Sequence, residues 1–220
     1  MEQILELYGR DTLEDKFNDS NLFRQLSSLT PKKMEIKKRD VLTSSSDYIY
    51  YIVNGTLAQK KLGVPLTVIG GGSFIGLNSF LFQKNDVEKY EVLEAGTVLA
   101  FNKKDTLFLL LSLQEGWLYL LFREKKQNEI LVENQLLLYK SGQDRVKETL
   151  CQLAEKFGTP VQEGWIIPRC FNKKFLADYT NMTLNSIKRI TEIYIAKGWL
   201  TIEKYHFIIK TKGGDDPWEL

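Results

Sequence analysis

The sequence predicts an α+β chain in three parts: an antiparallel β-roll of the cupin-like kind, one long helix, and a helical hairpin backed by a β-hairpin. Three observations carry that expectation. Between residues 34 and 102, short β-branched and aromatic runs alternate with turn signals. From 117 to 139 neither glycine nor proline interrupts a helical pattern. From 172 to 199 the stretch NKKFLADYTNMTLNSIKRITEIYIAKGW sets apolar residues at helical spacing on both sides of a polar break.

Taken in order, residues 1–30 suit one or two short helices, with Leu13, Phe17, Leu22, Phe23, Leu26 and Leu29 as apolar positions. Strands are expected at 34–36, 41–42, 48–53, 56–61 and 66–69. They are separated by Lys38-Arg39-Asp40, Ser44-Ser45-Ser46-Asp47, Asn54-Gly55 and Gly63-Val64-Pro65. Asn54-Gly55 is the strongest hairpin signal in the chain, because both central positions of a type I′ turn need positive φ. Gly70-Gly71-Gly72 suits a tight corner; no GK[ST] or GxGxxG pattern surrounds it to cradle a phosphate. Strands at 90–93 and 98–102 complete a set whose even spacing marks a small barrel or roll.

A helix over 105–113 precedes the long one over 114–139. The best heptad seam of the long helix is Leu121, Glu124, Asn128, Leu131, Gln135 and Leu138, polar in its middle. A helix of that length projects beyond one small domain and is expected to pair with a copy of itself. Residues 139–142 form the expected linker, where Ser141-Gly142 breaks one helix and caps the next, over 143–157. Gly158-Thr159-Pro160 ends that helix.

In the stretch 172–199, Asn172 caps a short helix with Leu176 and Ala177 facing inward. Thr180, Asn181 and Met182 break it, and Asn181 tolerates a left-handed turn. Thr183 caps a second helix whose inner side carries Ile187, Ile190, Ile193 and Tyr194, leaving Asn185, Ser186, Lys188, Arg189 and Glu192 outside. Strands at 200–203 and 207–210 around Lys204-Tyr205-His206 follow directly. This is a helix-turn-helix with a wing, a geometry that lays its second helix in a DNA major groove. Between Arg169 and Lys212 nine basic residues face three acidic ones, a net +6 within a chain of +2, so the remainder is −4. A basic module on a mildly acidic body is the electrostatic footprint of nucleic-acid binding.

Other classes find little support. Hydrophobic content of 43% is ample for folded cores. The N-terminal MEQILELYGRD is acidic where a signal peptide is basic, and the most apolar run, 107–122, is cut by Gln114-Glu115-Gly116, so a cytoplasmic protein without membrane contact is expected. Two cysteines make no disulfide framework: Cys151 falls on the inner face of its helix, and nothing around Cys170 marks a redox residue. Barrel-type metal enzymes need clustered histidines, and His206, placed in the wing turn, is the single one. No enzyme, metal or cofactor is expected.

The order of roll, long helix and winged helix resembles the Crp/Fnr superfamily of bacterial transcription regulators over nearly the whole chain. The carrying residues are Tyr50-Tyr51-Ile52-Val53-Asn54-Gly55, similar to the family's strand and glycine turn, and Gly72-Ser73-Phe74-Ile75-Gly76, similar to its glycine-rich loop. Arg145 opens the helix after the hinge, and Ala177 with Thr183 to Arg189 resembles the recognition motif. The resemblance implies a sensor roll over 1–113, a dimerisation helix over 114–140 and a DNA-binding winged helix over 141–220. It implies a homodimer on two-fold-symmetric promoter DNA, in most cases an activator that touches RNA polymerase, with an effector of unknown chemistry. The alternative is a signal-binding or protein-interaction module of the same fold that represses or has lost DNA binding.

Carried over by position, the base-reading residues are Leu184, Asn185 and Arg189. Arginine can fork onto guanine and asparagine onto adenine, whereas leucine can only meet a thymine methyl. Leu184 and Asn185 depart from the commoner arginine and glutamate, so the half-site should differ from familiar consensus sequences. Thr183, Ser186, Lys188 and the wing's Lys204 are phosphate contacts by the same resemblance, and Lys173 and Lys174 join the DNA-binding set. The effector pocket would involve Gly72, Phe74, Gly76 and Leu77. Cyclic-nucleotide members hold the ribose with a Gly-Glu pair and the phosphate with an Arg-Ser pair. Here those positions read Gly76-Leu77 and, near the second, Glu88-Lys89, and no arginine lies between Arg39 and Arg123. Lys84 or Lys89 offers only a point charge, so a chain unresponsive to cyclic AMP is expected.

Overall fold

In a computed structural model, the structure describes residues 10–44, 47–77 and 88–210. The chain divides into two compact units, Met1–Val132 and Glu133–Leu220. The expectations placed on Ser45, Ser46, residues 83–86 and Lys212 lie outside the described residues.

Among the described residues the first unit begins with two helices, α1 (Arg10–Lys16) and α2 (Asp19–Gln25), then a 3-10 turn, Leu26–Ser28. Asn18 caps α2 by accepting from the Asn21 amide at 2.9 Å. The roll is built from β1 (Lys32–Ile36), β2 (Val41–Thr43), β3 (Tyr48–Lys61), β4 (Val64–Ile69), β5 (Phe74–Ile75) and β6 (Lys89–Asn102). All pairings are antiparallel, in the order β1-β6-β3-β4, with β2 on β6 and β5 on β3. Period-2 burial fills its interior with Ile52, Leu57, Ile75, Val92 and Val98. A second cluster joins Phe17, Leu22 and Leu26 of the N-terminal helices to Ile49, Phe74, Phe101, Leu110 and Leu118.

The expected hairpin at Asn54-Gly55 does not form. Residues 48–61 make one continuous strand, and 89–102 likewise one strand where two were expected. The pair slips register around Asn54 and Thr56, and both chains bend there without reversing. Gly55 has φ +100°, so the left-handed signal of Asn-Gly is satisfied in a bulge. Gly96 lies opposite, where a Cβ would come within 2.1 Å of the Asn54 carbonyl oxygen. Asn54 Oδ1 replaces a ladder acceptor by taking the Thr97 amide at 2.8 Å. The true two-residue hairpin is Leu62-Gly63, with φ +52° and +84°, where Lys61 pairs with Val64. Val64 and Pro65, expected in a turn, begin β4 instead.

Helix α3 (Lys103–Ser112) starts two residues before its expected 105, because Asn102 Oδ1 caps it from the Lys104 and Asp105 amides. The long helix α4 (Gly116–Leu137) is slightly shorter than its expected 114–139. At Gly116 a Cβ would lie 1.9 Å from the Leu110 carbonyl oxygen, so only glycine lets the chain turn so closely. Arg123 of α4 donates to both Asp19 carboxylate oxygens at 2.8 Å and to the Phe74 carbonyl, and Asp19 accepts the Phe74 amide at 2.9 Å. That clasp joins α2, β5 and α4.

The second unit contains α5 (Gly142–Phe157), α6 (Lys173–Tyr179) and α7 (Leu184–Ala196) over a four-stranded sheet. Its strands are β7 (Thr159–Val161), β8 (Gly164–Ile166), β9 (Leu200–Glu203) and β10 (His206–Lys210), in the order β7-β8-β10-β9. The β7-β8 hairpin was not expected from the sequence. Ser141 caps α5 from the Asp144 amide at 3.2 Å, and Cys151, Leu150, Ile187 and Ile209 are fully buried. No described helix is long and apolar enough to cross a membrane.

Candidate nucleic-acid interface

Helix α7 is amphipathic in a way that separates packing from presentation. Ile187, Ile190, Thr191 and Tyr194 are buried, while Leu184, Asn185, Lys188, Arg189 and Glu192 are exposed. Ile193, expected inside, is only half-buried. At 100° per residue the exposed five occupy one face, with Leu184 below Lys188 and Asn185 below Arg189. The side chains of Asn185, Lys188 and Arg189 have no intramolecular hydrogen bond or ion pair among the described residues. Apolar packing along the whole inner face of the helix holds these donors outward.

Caps set where that helix begins. Thr183 Oγ1 accepts the Ser186 amide at 3.1 Å and lies 2.9 Å from Ser186 Oγ, so both hydroxyls serve the cap. The N-terminus of the thirteen-residue helix carries the positive end of its dipole and suits an anion. Asn172 Oδ1 caps α6 from the Lys174 and Phe175 amides, both at 3.0 Å, leaving Lys173 half-exposed and Lys174 exposed in its first turn. Between the helices Asn181 has φ +52°, as the sequence suggested, and the Met182 amide returns to the Ala177 carbonyl at 2.9 Å. Thr180, expected as part of a polar break, is buried and donates to the Leu176 carbonyl at 2.6 Å.

Arg145 anchors this arrangement from α5. Its Nε donates to the Leu137 carbonyl at 3.1 Å, Nη2 to Leu138 and Lys140 at 2.6 and 3.2 Å, and Nη1 to Thr180 at 2.9 Å. One side chain thus closes the orphan carbonyls at the end of α4 and ties them to the residue before the turn. Its position was noticed in the sequence, its four acceptors were not.

The wing differs from its expected outline. His206 is not in the turn: it pairs with Glu203 inside β10, and the turn is Lys204-Tyr205 alone, with φ +47° and +70°. Lys204 and Tyr205 are exposed at the tip. Sequence reasoning passed over Arg169, whose Nε donates to His206 Nε2 at 2.8 Å across 37 residues. No local pattern announces a contact of that span.

The positions read as an effector pocket lie in the first unit. Gly72 and Gly76 have φ +84° and +85°, and Phe74 and Leu77 are fully buried members of the cluster with Phe17 and Leu22. Beside them in the roll is a polar group. Glu88 accepts from Gln59 Nε2 at 2.8 Å and from the Tyr90 hydroxyl at 2.5 Å, and its amide donates to Ser44 Oγ at 2.9 Å. Gln127 Nε2 of α4 approaches Gln59 Oε1 at 3.3 Å. Burial first, and the Glu88 carboxylate next, push the Tyr90 phenol well above its ordinary range, so it stays a donor. Lys89 is exposed, and Lys84 lies outside the described residues.

No protein-family model and no curated protein matches the sequence. The fold, however, is similar to that of solved transcription regulators. FixK2 from Bradyrhizobium japonicum superposes with a TM-score of 0.69 at 14% identity, covering 83% of this chain and 94% of that one. A cyclic nucleotide-binding domain containing protein from Listeria monocytogenes gives 0.68 at 16%, covering 87% and 97%. A transcriptional regulator of the CRP family from Thermus thermophilus gives 0.67 at 12%, covering 81% and 92%. The antiparallel roll followed by helices is therefore similar to the fold of a solved CRP-family regulator, and at these identities the likeness is one of fold.

Replacing Arg145 leaves several α4 and Thr180 carbonyls without their charged donor. Arg145→Ala should lower the stability of the second unit by about 1.5–3 kcal/mol, the typical worth of charge-assisted hydrogen bonds. Denaturant unfolding followed by tryptophan fluorescence checks this, and an unchanged midpoint would show the fork to be dispensable.

Proposed function

We propose that the chain is a sequence-specific regulator of transcription that binds double-stranded promoter DNA through α7. The observation that carries this is the capped helix whose buried side is core and whose exposed side offers Leu184, Asn185, Lys188 and Arg189 together, the donors without partners among the described residues. Arg189 would fork onto guanine, Asn185 pair with adenine, and Leu184 contact a thymine methyl. Thr183, Ser186, Lys173, Lys174 and Lys204 would meet phosphates. We assign the roll the sensing role, and the whole the action of a cytoplasmic activator that touches RNA polymerase. Arg189→Ala should cost about 1–3 kcal/mol at the specific site and relax preference at one base pair. Equal loss on specific and random duplex in a shift assay would rule out base reading. No shift at low salt by the wild type would favour the interaction-module alternative.

The same reading includes a homodimer through α4. Its exposed apolar positions are Trp117, Leu121, Val132 and Leu136, at 56%, 50%, 54% and 58%. The first three, with Glu124, Asn128 and Gln135, make one stripe at spacings of three and four, and Leu136 follows Val132 one turn on. Four of the six seam positions drawn on the sequence belong to this stripe, and Leu131 is half-buried within the chain itself. Trp117→Ala, Leu121→Ala and Val132→Ala combined should raise the dimer dissociation constant at least tenfold, measured by sedimentation. A wild type monomeric at micromolar concentration would end the dimer proposal.

Unresponsiveness to cyclic AMP rests on chemistry that the roll lacks. Leu77, at the ribose position, is apolar and buried, and Arg123 is already committed to Asp19 and Phe74. Near the cyclic phosphate Glu88 would repel it. Two missing charge-assisted partners, at ~1.5–3 kcal/mol each, place affinity on the order of a hundredfold or more below a matched pocket. Calorimetric titration with cyclic AMP and cyclic GMP should give no saturable heat at millimolar ligand. Micromolar binding that raised DNA affinity would overturn it.

A further inference from the structure

We infer that Arg169, held by a neutral His206 at the foot of the wing, is a preorganised clamp for a DNA phosphate; this rests on the DNA-binding reading above. The segment carrying Arg169 runs between β8 and α6 and is fastened to β10 three times. The Ile167 amide donates to the Phe207 carbonyl at 2.8 Å. His206 Nδ1 lies 3.0 Å from the Ile167 carbonyl, and Arg169 Nε lies 2.8 Å from His206 Nε2. These contacts fix the tautomer. A carbonyl can only accept, so Nδ1 carries the hydrogen; a guanidinium can only donate, so Nε2 offers its lone pair. The ring is therefore neutral and spends its single acceptor on Arg169.

That arrangement orients the guanidinium. Of its five N–H groups one is engaged by His206, and the four on the terminal nitrogens have no intramolecular partner among the described residues. Arg169 is exposed. A fork with its inner edge pinned and its outer edge free matches two oxygens of one phosphate. Pinning also removes part of the rotamer entropy that a loose arginine loses on binding.

The neighbouring tip points to the same partner. Lys204 and Tyr205 both sit at positive φ, where asparagine and glycine are the usual occupants, and Tyr205 is 85% exposed. A bulky aromatic in that region is strained, and at that exposure it buries little within the chain. Since Tyr205 directly precedes His206, the arginine fork, the lysine ammonium and the tyrosine hydroxyl share one end of the hairpin. A row of donors without acidic partners suits the backbone of a duplex. It would engage without reading bases.

The test is fluorescence anisotropy of the full chain on its selected site and on a random duplex, across a salt series. Arg169→Ala should weaken both duplexes alike, by about fivefold per bound protomer near 0.15 M salt, and flatten the salt slope by about one unit per protomer. Arg169→Lys keeps the charge and the stem, so it guards against a folding defect; it should retain most of the slope and lose part of the affinity. His206→Leu, which keeps the charge but unpins it, should lose part of the affinity and retain most of the slope; adding it to Arg169→Ala should lose nothing further, and His206→Gln, which retains an acceptor, should recover part of the loss. Unchanged binding by Arg169→Ala, with Arg189→Ala still impaired, overturns the clamp and leaves the DNA reading standing. Full binding by His206→Leu overturns the positioning role. A wild type that binds neither duplex removes both.

Discussion

The presentation of α7 depends on how the backbone is closed around Arg145. A helix end exposes carbonyls that nothing in the helix can satisfy, and the last carbonyl of α4, at Leu137, faces one guanidinium together with those of Leu138 and Lys140 just beyond it. The same group takes the Thr180 carbonyl, one residue before the left-handed Asn181 that turns α6 into α7. Around it the packing is equally close: a Cβ on Gly142 would meet Met182 Cε at 2.8 Å. Thr180 in turn is anchored to Leu176. The entry into α7 is therefore held by hydrogen bonds to backbone, which side-chain variation on its outer face does not disturb. Residues on that outer face, Leu184 and Asn185 among them, can therefore vary without altering the scaffold.

The roll obeys a different constraint, a steric one. Two fourteen-residue strands remain paired through a bend because each supplies a glycine at the corner. Gly55 absorbs the positive φ, and Gly96 clears the space that the Asn54 carbonyl occupies. Asn54 contributes its side-chain oxygen where the slipped register would leave the Thr97 amide unpaired. The bend folds one long ribbon over itself and encloses the Ile52, Leu57 and Val98 core.

What was legible in the sequence was local. Asn172, Thr183 and Ser141 are caps because their own side chains reach amides two or three residues on, and a sequence displays that directly. Alternating burial in the strands, and the inward Ile187 and Ile190, are equally local periodicities. Asn54-Gly55 misled because its φ requirement is common to hairpin and bulge, and the deciding residue, Gly96, lies far along the chain. The three-residue strands β7 and β8 are too short for periodicity; their signal is Gly164, at φ +145°, where a Cβ would strike the Ile209 carbonyl at 1.8 Å. Arg145 reaches the Thr180 carbonyl across 35 residues besides its three nearer carbonyls, and Arg169 reaches an imidazole across 37.

Polar satisfaction distinguishes the two halves of the chain. In the roll, Glu88 is met by Gln59, Tyr90 and, through its amide, Ser44, and Thr56 donates to Glu94 at 3.2 Å. Among the described residues the buried side-chain atoms without partners are Trp165 Nε1, Trp199 Nε1 and Thr201 Oγ1, all in the second unit. A ligand entering beside Glu88 would have to displace a hydrogen bond before forming one, and the raised Tyr90 phenol would have to find another acceptor in an apolar setting. On the outer face of α7 and at the wing the balance is reversed: Asn185, Lys188 and Arg189 are solvated and uncommitted, so a phosphate or base edge gains their donors at the cost of water alone. Unspent donors gather on the basic helix and its wing, while the polar interior of the roll is paired within itself. Weight in the proposed reading therefore belongs with the candidate nucleic-acid face.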